Sequence, residues 1–451
     1  MSETPLKRHQ WPGVKGSAIL NTIQFLRDPD ALVAKHRQRY GDTFLLRLLF
    51  GDILMFTNPK EIKELFAIRG EHMTSYVNKI LQPLLGTKSV FLTGGETHRN
   101  LRKAMMPFFQ GRYVASLGDT VRQRTLEHMQ ALPIGSHFKA VDFLRGLLIE
   151  VMLDMAIGSM PAARVAKYRA IVESVDDSPG AIIFFLAPIR SLFLGLGPWR
   201  AMDRKMAELT AMLDQDIQQR RASGPTGDDA LSQLIGHPDF DDESIQSQLI
   251  TIIFAGYETT TITTSWALYW LHQHPQCLAE VHAEIDALGA DPDVQALGSL
   301  KYLDAVCMET LRISPALNIV PRRMIQDCTV ANYAIEAGMA LAASVTEVHF
   351  DASIYPNPTR FEPERFLNKK PNAQEFLPFG GGVRKCLGAT MAMYEMKVIL
   401  ASILGNYALQ SESKGVPKRK LHSVALGPDD RIPMTLKSKR EIAVGAPSSV
   451  G

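Results

Sequence analysis

The sequence is short of several features that mark other protein classes. Its 451 residues include only four cysteines, Cys277, Cys307, Cys328 and Cys386, and none lie in a C-x-x-C spacing. That pattern excludes a zinc-ribbon site and a disulfide framework, and it fits a reducing compartment. No run of roughly twenty apolar residues occurs, so no transmembrane anchor is expected. The N-terminus, Met1-Ser-Glu-Thr-Pro-Leu-Lys-Arg-His-Gln-Trp-Pro-Gly, has no signal-peptide apolar core either. A cytoplasmic protein is predicted. An excess of one charge is also lacking: the formal net charge is +2, with no basic patch interleaved with aromatics, so nucleic acid is not an expected partner. No internal repeat or low-complexity tract is present.

What remains is an ordinary globular composition, 46% apolar and 21% charged, able to bury a large core. Its chemistry gathers in one stretch, Phe379-Gly380-Gly381-Gly382-Val383-Arg384-Lys385-Cys386-Leu387-Gly388. One cysteine ends a glycine-rich turn, and the amphipathic run 387–404 behind it reads as a helix. Placed against the positive end of that helix, the thiol is expected to have a lowered pKa and to favour the thiolate, the metal-ligating form. The glycines would let the backbone approach something flat and bulky. A loop holding a thiolate against a large planar cofactor is the reading.

The positions Phe379, Gly382, Arg384, Cys386 and Gly388 follow the pattern Phe-x-x-Gly-x-Arg-x-Cys-x-Gly. This closely resembles the heme-ligand loop of the cytochrome P-450, or heme-thiolate, family. The resemblance implies that Cys386 is the axial ligand of heme b, that Arg384 binds a propionate, and that Phe379, Gly380 and Gly388 lie against the cofactor. Three further segments match in the family's order. Gly95-Glu96-Thr97-His98-Arg99-Asn100-Leu101-Arg102 opens a helix that places His98 and Arg102 on one side, and it resembles the family's propionate-binding pair.

The second segment sits inside a helix predicted from a cap at Asp241 or Asp242 to His272. That length, at about 1.5 Å per residue, would cross the whole globule. Its centre, Phe254-Ala255-Gly256-Tyr257-Glu258-Thr259-Thr260-Thr261, combines glycine with clustered threonines, poor choices for a helix interior. Gly256 is expected to make room there, and Thr259 can bond back to the i−4 carbonyl. Such a local conflict is expected where function overrides propensity. The resemblance implies that Ala255 lies at the heme and that Glu258 and Thr259 are catalytic, delivering protons during oxygen activation.

The third match is Glu309 and Arg312, spaced i, i+3, with Arg365 in Phe361-Glu-Pro-Glu-Arg365-Phe366. By resemblance these three form a buried structural triad supporting the heme loop. Arg322, placed by its spacing to Asp327, is implied as a further propionate arginine, with Arg323 the lesser choice. Asn332-Tyr-Ala-Ile-Glu336-Ala-Gly338 departs from the family's usual strand-turn pattern without touching the chemistry.

The fold implied is mainly α with a small β portion, one domain over residues 1–451, with heme between the long central helix and the helix after the cysteine loop. Residues 1–15 and 446–451 are expected to be flexible, residues 421–436 to form a terminal hairpin, and the apolar segment 181–197 to act as a lid. The implied activity is insertion of one oxygen atom of O2 into a hydrophobic small molecule, a terpenoid, steroid or fatty acid. Pocket candidates are Phe254, Ala255, Leu317, Ile319, Val320, Val424, Ala425 and residues between Tyr76 and Phe91. No flavin or iron–sulfur sequence accompanies the heme domain, so a separate ferredoxin-type redox partner is expected, docking on Lys103, Lys385 and Lys397, with the protein a monomer. Two alternatives are a peroxide-using or non-oxygenating heme-thiolate enzyme and a non-catalytic heme sensor. The Glu258-Thr259 pair speaks against both.

Overall fold

The long helix Asp242–Gln273 is the axis of the protein. Asp241 caps it, its side chain accepting from the Ser244 N–H at 2.9 Å, so the first of the two candidate acids is the cap. Residues on nearly every side of it are buried, as an all-round apolar helix requires. Across it lies Ala140–Ile157, equally buried. Gly256 sits at that crossing, where a Cβ would run into the sulfur of Met152. Its missing side chain therefore serves the approach of two helices, rather than opening space for a ligand.

The computed structural model describes residues 5–176, 198–224, 227–422 and 425–440. The segment 181–197, Val424 and the terminus 446–451 lie outside the described residues. Residues 6–15, expected to be loose, are tied down: Leu6 bridges Tyr333, and Trp11 is 2% exposed with its indole N–H donating to the Leu6 carbonyl at 2.9 Å.

Helices dominate, and one five-stranded sheet stands at the edge. Thr43–Leu46 pairs antiparallel with Ile53–Phe56, which runs parallel to Ala340–Ser344. Ile319–Met324 follows antiparallel and Met73–Thr74 closes the edge. The region 421–436 is not a single hairpin. Arg419–Leu421 pairs with Leu426–Pro428, while Pro433–Lys439 leaves to pair with Tyr407–Ser411 and His137–Lys139. The departure at Asn332 also has a local account. Ala331 and Asn332 take φ of 46° and 63°, the left-handed pair that a two-residue hairpin turn needs and that Asn tolerates.

The helix Lys301–Ile313 follows a separate short helix, Val294–Gly298. It carries Glu309 and Arg312, both 0% exposed. Arg312 grips Glu309 through two N–H···O bonds of 2.7 Å, and its remaining donors reach the carbonyls of His349, Pro358 and Arg360. Arg365 adds an ion pair to Glu309 at 3.4 Å. A buried pair of this kind needs its remaining donors satisfied, and three backbone carbonyls do that. His349 extends the network. Its Nδ1–H donates to the Arg312 carbonyl at 3.0 Å, and its Nε2 accepts from the Leu377 N–H at 2.9 Å, which fixes a neutral tautomer and links this helix to the approach of the cysteine loop.

Burial pushes the His349 imidazole down from 6.5 to about 3, so the fold holds it neutral. Within that window the unfolded chain binds the extra proton, so stability falls as pH drops from 6.5 toward 3. His349→Gln, which cannot titrate, is expected to flatten that slope by up to about 1.4 kcal/mol per pH unit in urea unfolding. An unchanged slope would show that another group carries it.

Candidate active site

Cys386 lies outside the helix that follows it, since Ala389–Asn406 starts only after Gly388. Its N–H donates to the Phe379 carbonyl at 2.9 Å, and its sulfur accepts from the Gly388 N–H. The loop is made by its glycines. Gly380 and Gly382 have φ of 63° and 65°, where a side chain would be strained. A Cβ on Gly381 or Gly382 would collide with the ring or the carbonyl of Phe66, at the end of the helix Pro59–Ala67. Gly381 and Gly382 thus answer to Phe66, on the side of the loop where their side chains would stand.

The helix end does not dominate the thiol. Burial pushes its pKa up, against the opposing pull of the Gly388 N–H and the charges of Arg102 and Lys385. The sequence expectation of a lowered pKa is overturned in this protein-only setting, and a bound metal is what would hold the sulfur as thiolate. Even so Cys386 presents open surface, and so does Ala255 in mid-helix beside buried Phe254.

Four cationic or imidazole groups converge near the loop. His98 and Arg102 project from Gly95–Met105, Arg322 from the sheet strand Ile319–Met324, and Arg384 from the loop itself. Burial, then the charges of Arg384, Arg102 and Arg322, push His98 down to about 4. Burial and Arg384 bring Arg322 to about 9, and burial and Arg102 bring Arg384 to about 10. Arg102 is lowered by burial. Some donors are used on backbone: Arg322 on the carbonyls of Pro321 and Gly381 at 2.9 and 3.2 Å, Arg384 on those of Phe91 and Thr93. None of the three arginines has a carboxylate within ion-pair distance among the described residues. A cavity of about 670 Å³ between Gly95–Met105 and Val383 is lined in part by His98 and Arg102.

Heme b fits this donor set. No group of three or more His, Cys, Asp or Glu side chains among the described residues could hold a bare metal ion, so a single thiolate suits a metal already held by a macrocycle. The unpaired guanidiniums suit a group with carboxylates on one edge.

Arg323 turns away, donating to the Gly338 carbonyl at 2.8 Å and lying 5.1 Å over the Tyr76 ring. Thr259 Oγ1 donates to the Ala255 carbonyl at 3.2 Å, and Thr263 repeats the pattern to Thr259 at 2.9 Å. Glu258 is half-buried beside it. Among pocket candidates, Leu317 is 38% exposed and Ile319 and Val320 are partly open. Ala425 is 0% exposed and Phe254 is buried, packed on Tyr257, so these two offer little surface to a ligand.

The wall facing the long helix is a loop within the stretch 76–91, which the sequence offers as pocket lining. Gln248, fully buried, accepts from the Val90 N–H at 2.9 Å and donates to the Lys88 carbonyl at 2.7 Å. Ser89 and Thr251 share a 2.7 Å bond, and Lys88 pairs with Asp241 and Glu243 outside. Phe66, His349 and Gln248 carry no motif; only their contacts reveal them. The docking lysines also divide. Lys103 and Lys385 are exposed, but Lys397 is withdrawn into a 2.8 Å pair with Asp304, so it does not belong to that patch.

A family model for cytochrome P450 matches residues 12–432. The chain belongs to the cytochrome P450 family, whose members bind heme b and act as heme-thiolate monooxygenases using O2, a redox partner and a small-molecule substrate. It is similar to "Putative cytochrome P450 135B1" of Mycobacterium tuberculosis, 31% identical over 96% of this chain and 92% of that protein. It is also similar to "Putative cytochrome P450 138" of the same species, 25% identical over 93% and 94%. Two solved structures share the fold. "Retinoic acid bound cyanobacterial CYP120A1" has a TM-score of 0.83 at 24% identity, covering 98% of this chain and 100% of that one. A "cytochrome P450DA heme domain" has 0.80 at 21%, covering 93% and 96%. No helix among the described residues is long and apolar enough to cross a membrane.

Gly382→Ala would combine a strained backbone with a collision against a carbonyl that has no freedom to move. The expected outcome is a loss of about 1–2 kcal/mol or more in stability and a lower ratio of heme to protein absorbance after purification. Full heme retention would show that the loop relaxes.

Proposed function

We propose that this protein inserts one oxygen atom from O2 into a hydrophobic small molecule of the terpenoid, steroid or fatty-acid class, with electrons from a separate ferredoxin and ferredoxin reductase. The observation that carries the reading is the meeting of one ligating thiol, Cys386, with guanidiniums that lack carboxylate partners. The surface of Leu317, Ile319 and Val320 supports an apolar substrate. A cytoplasmic monomer is part of the same proposal.

Heme b, when bound, supplies reductive activation of O2. Around it, Cys386 is the metal ligand and sets the electron density available there. His98, Arg102, Arg322 and Arg384 would bind its propionates, and Phe379, Gly380 and Gly388 would line its cysteine side. Glu309, Arg312 and Arg365 act as positioning residues: they brace the segment that leads through Leu377 to the loop. On the other side, Ala255 leaves the helix surface open, and the Thr259 hydroxyl, resting on the Ala255 carbonyl, is free to exchange that bond for one to a water. Glu258 holds the proton that Thr259 passes inward. Leu317, Ile319 and Val320 exclude bulk water from the same space.

The first test is the absorption spectrum of the reduced protein with carbon monoxide, where thiolate ligation gives a strongly red-shifted Soret band and Cys386→His removes it. With a surrogate ferredoxin system, Thr259→Ala should lower product formed per NADPH, by about tenfold or more, while peroxide rises. Unchanged coupling would remove Thr259 from proton delivery.

For the partner, Lys103→Glu with Lys385→Glu should slow electron transfer from ferredoxin and reduce its salt dependence. Lys397→Glu should not, since that lysine is engaged with Asp304. Rates that stay equal in the double variant would place docking elsewhere.

A further inference from the structure

The N-terminal helix Ala18–Arg27 is apolar on the side that its fold does not use. Its inner face holds Asn21, Thr22 and Phe25, and these clasp the tip of the first hairpin. Asn21 donates to the Arg47 carbonyl at 3.1 Å, Thr22 accepts from the Leu49 N–H at 2.9 Å, and Phe25 meets Phe50 edge-on at 5.7 Å. The outer face should then be polar, as on any surface helix. It is instead Ile19, Leu20 and Ile23, which are 60%, 62% and 59% exposed, and the clasp sets Leu49 beside them at 57%. Four large aliphatic side chains thus stand exposed on adjoining elements. That is the kind of surface a protein keeps for a partner.

The charges around the patch indicate which partner. Ile19, Ile23 and Arg27 follow one another at i, i+4 and i+8, so the stripe ends in a cation, and Lys15 stands just before the helix. Both are exposed, and neither makes an ion pair among the described residues. The sequence contains no Asp or Glu from Thr4 to Arg27. The nearest acids are already engaged: Asp52 of the hairpin binds Arg8 at 2.7 Å and Arg47 at 3.7 Å, and Asp28 caps the next helix by accepting from the Ala31 N–H. An apolar stripe flanked by free cations, with no free acid inside it, matches the interface of an anionic bilayer, where aliphatic side chains enter the acyl boundary and cations meet lipid phosphates.

We propose that this face, Ile19, Leu20, Ile23 and Leu49 with Lys15 and Arg27, docks the protein reversibly on anionic lipid surfaces. Docking is peripheral. It needs no spanning helix, and it stands apart from the chemistry at Cys386, so its failure would leave the proposed reaction untouched.

The test is co-sedimentation of the heme-loaded protein with vesicles of phosphatidylcholine alone or mixed with phosphatidylglycerol. The wild-type protein should bind the mixed vesicles, weakly or not at all the neutral ones, and release with salt. Lys15→Glu with Arg27→Glu should weaken binding by about fivefold or more per cation. Ile19→Ser, Leu20→Ser and Ile23→Ser together should abolish it, while the carbon monoxide spectrum and melting temperature stay at wild-type values. If the triple variant fails to fold, the charge variant decides alone. Absent binding, or binding that survives both sets of changes, overturns the proposal. So does a wild-type dimer in light scattering that the triple variant dissolves, since the patch would then be covered by a second copy of this chain.

Discussion

Like charges placed together inside a protein demand an answer. His98, Arg102, Arg322 and Arg384 come from a helix, a sheet strand and the cysteine loop, and each of the three arginines lowers the proton affinity of one or more of the others. Elsewhere the chain pairs its half-buried arginines with care. Arg37 faces Asp42, Glu347 and Asp351, and Arg124 faces Asp154 and Glu150. The contrast is informative. Selection of a stable fold alone would have supplied a carboxylate here. On the proposed reading that place is taken by carboxylates arriving with the cofactor, and the three elements that carry the cluster then depend on one ligand for their mutual balance.

How the loop keeps its shape is a separate matter from what it binds. Phe66 forces Gly381 and Gly382 to remain glycine, and Arg322 and Arg384 spend donors on the backbone at Gly381 and Thr93. Behind these stands the network of Glu309, Arg312 and His349, in which the two backbone bonds of one imidazole join the Arg312 carbonyl to the Leu377 N–H. The loop geometry is therefore defined by protein contacts on its outer side, which leaves its inner side free for a flat group.

Much of this was legible in the sequence, for a physical reason. Cys386, Glu258-Thr259, Glu309 and Arg312 are residue types that are costly or unusual in their setting, and their spacing is local enough to be seen. The long helix was legible too, because its apolar content runs on all sides and its ends carry an acid cap and a proline. The errors share a different cause. Glycine reports only that a side chain is excluded, not by what, so the sequence does not name Met152 as the neighbour of Gly256 or Phe66 as that of Gly381 and Gly382. Lys397 reads as a free cation until Asp304, far away in the chain, is brought beside it. The strand Pro433–Lys439 could not be told from half of a hairpin, because its partners include His137–Lys139 from the first third of the sequence. Phe66, His349 and Gln248 are ordinary residues whose importance lies wholly in contacts distant in sequence.

The clasp of Gln248 on residues 88 and 90 bears on how this wall can open. One amide takes both a carbonyl and an N–H of the loop, so the loop cannot creep along the helix by a fraction of a turn while keeping either bond. It stays in register or lets go of the whole set, together with the Ser89–Thr251 bond and the outer ion pairs of Lys88. Any opening of this wall therefore breaks these bonds together or not at all.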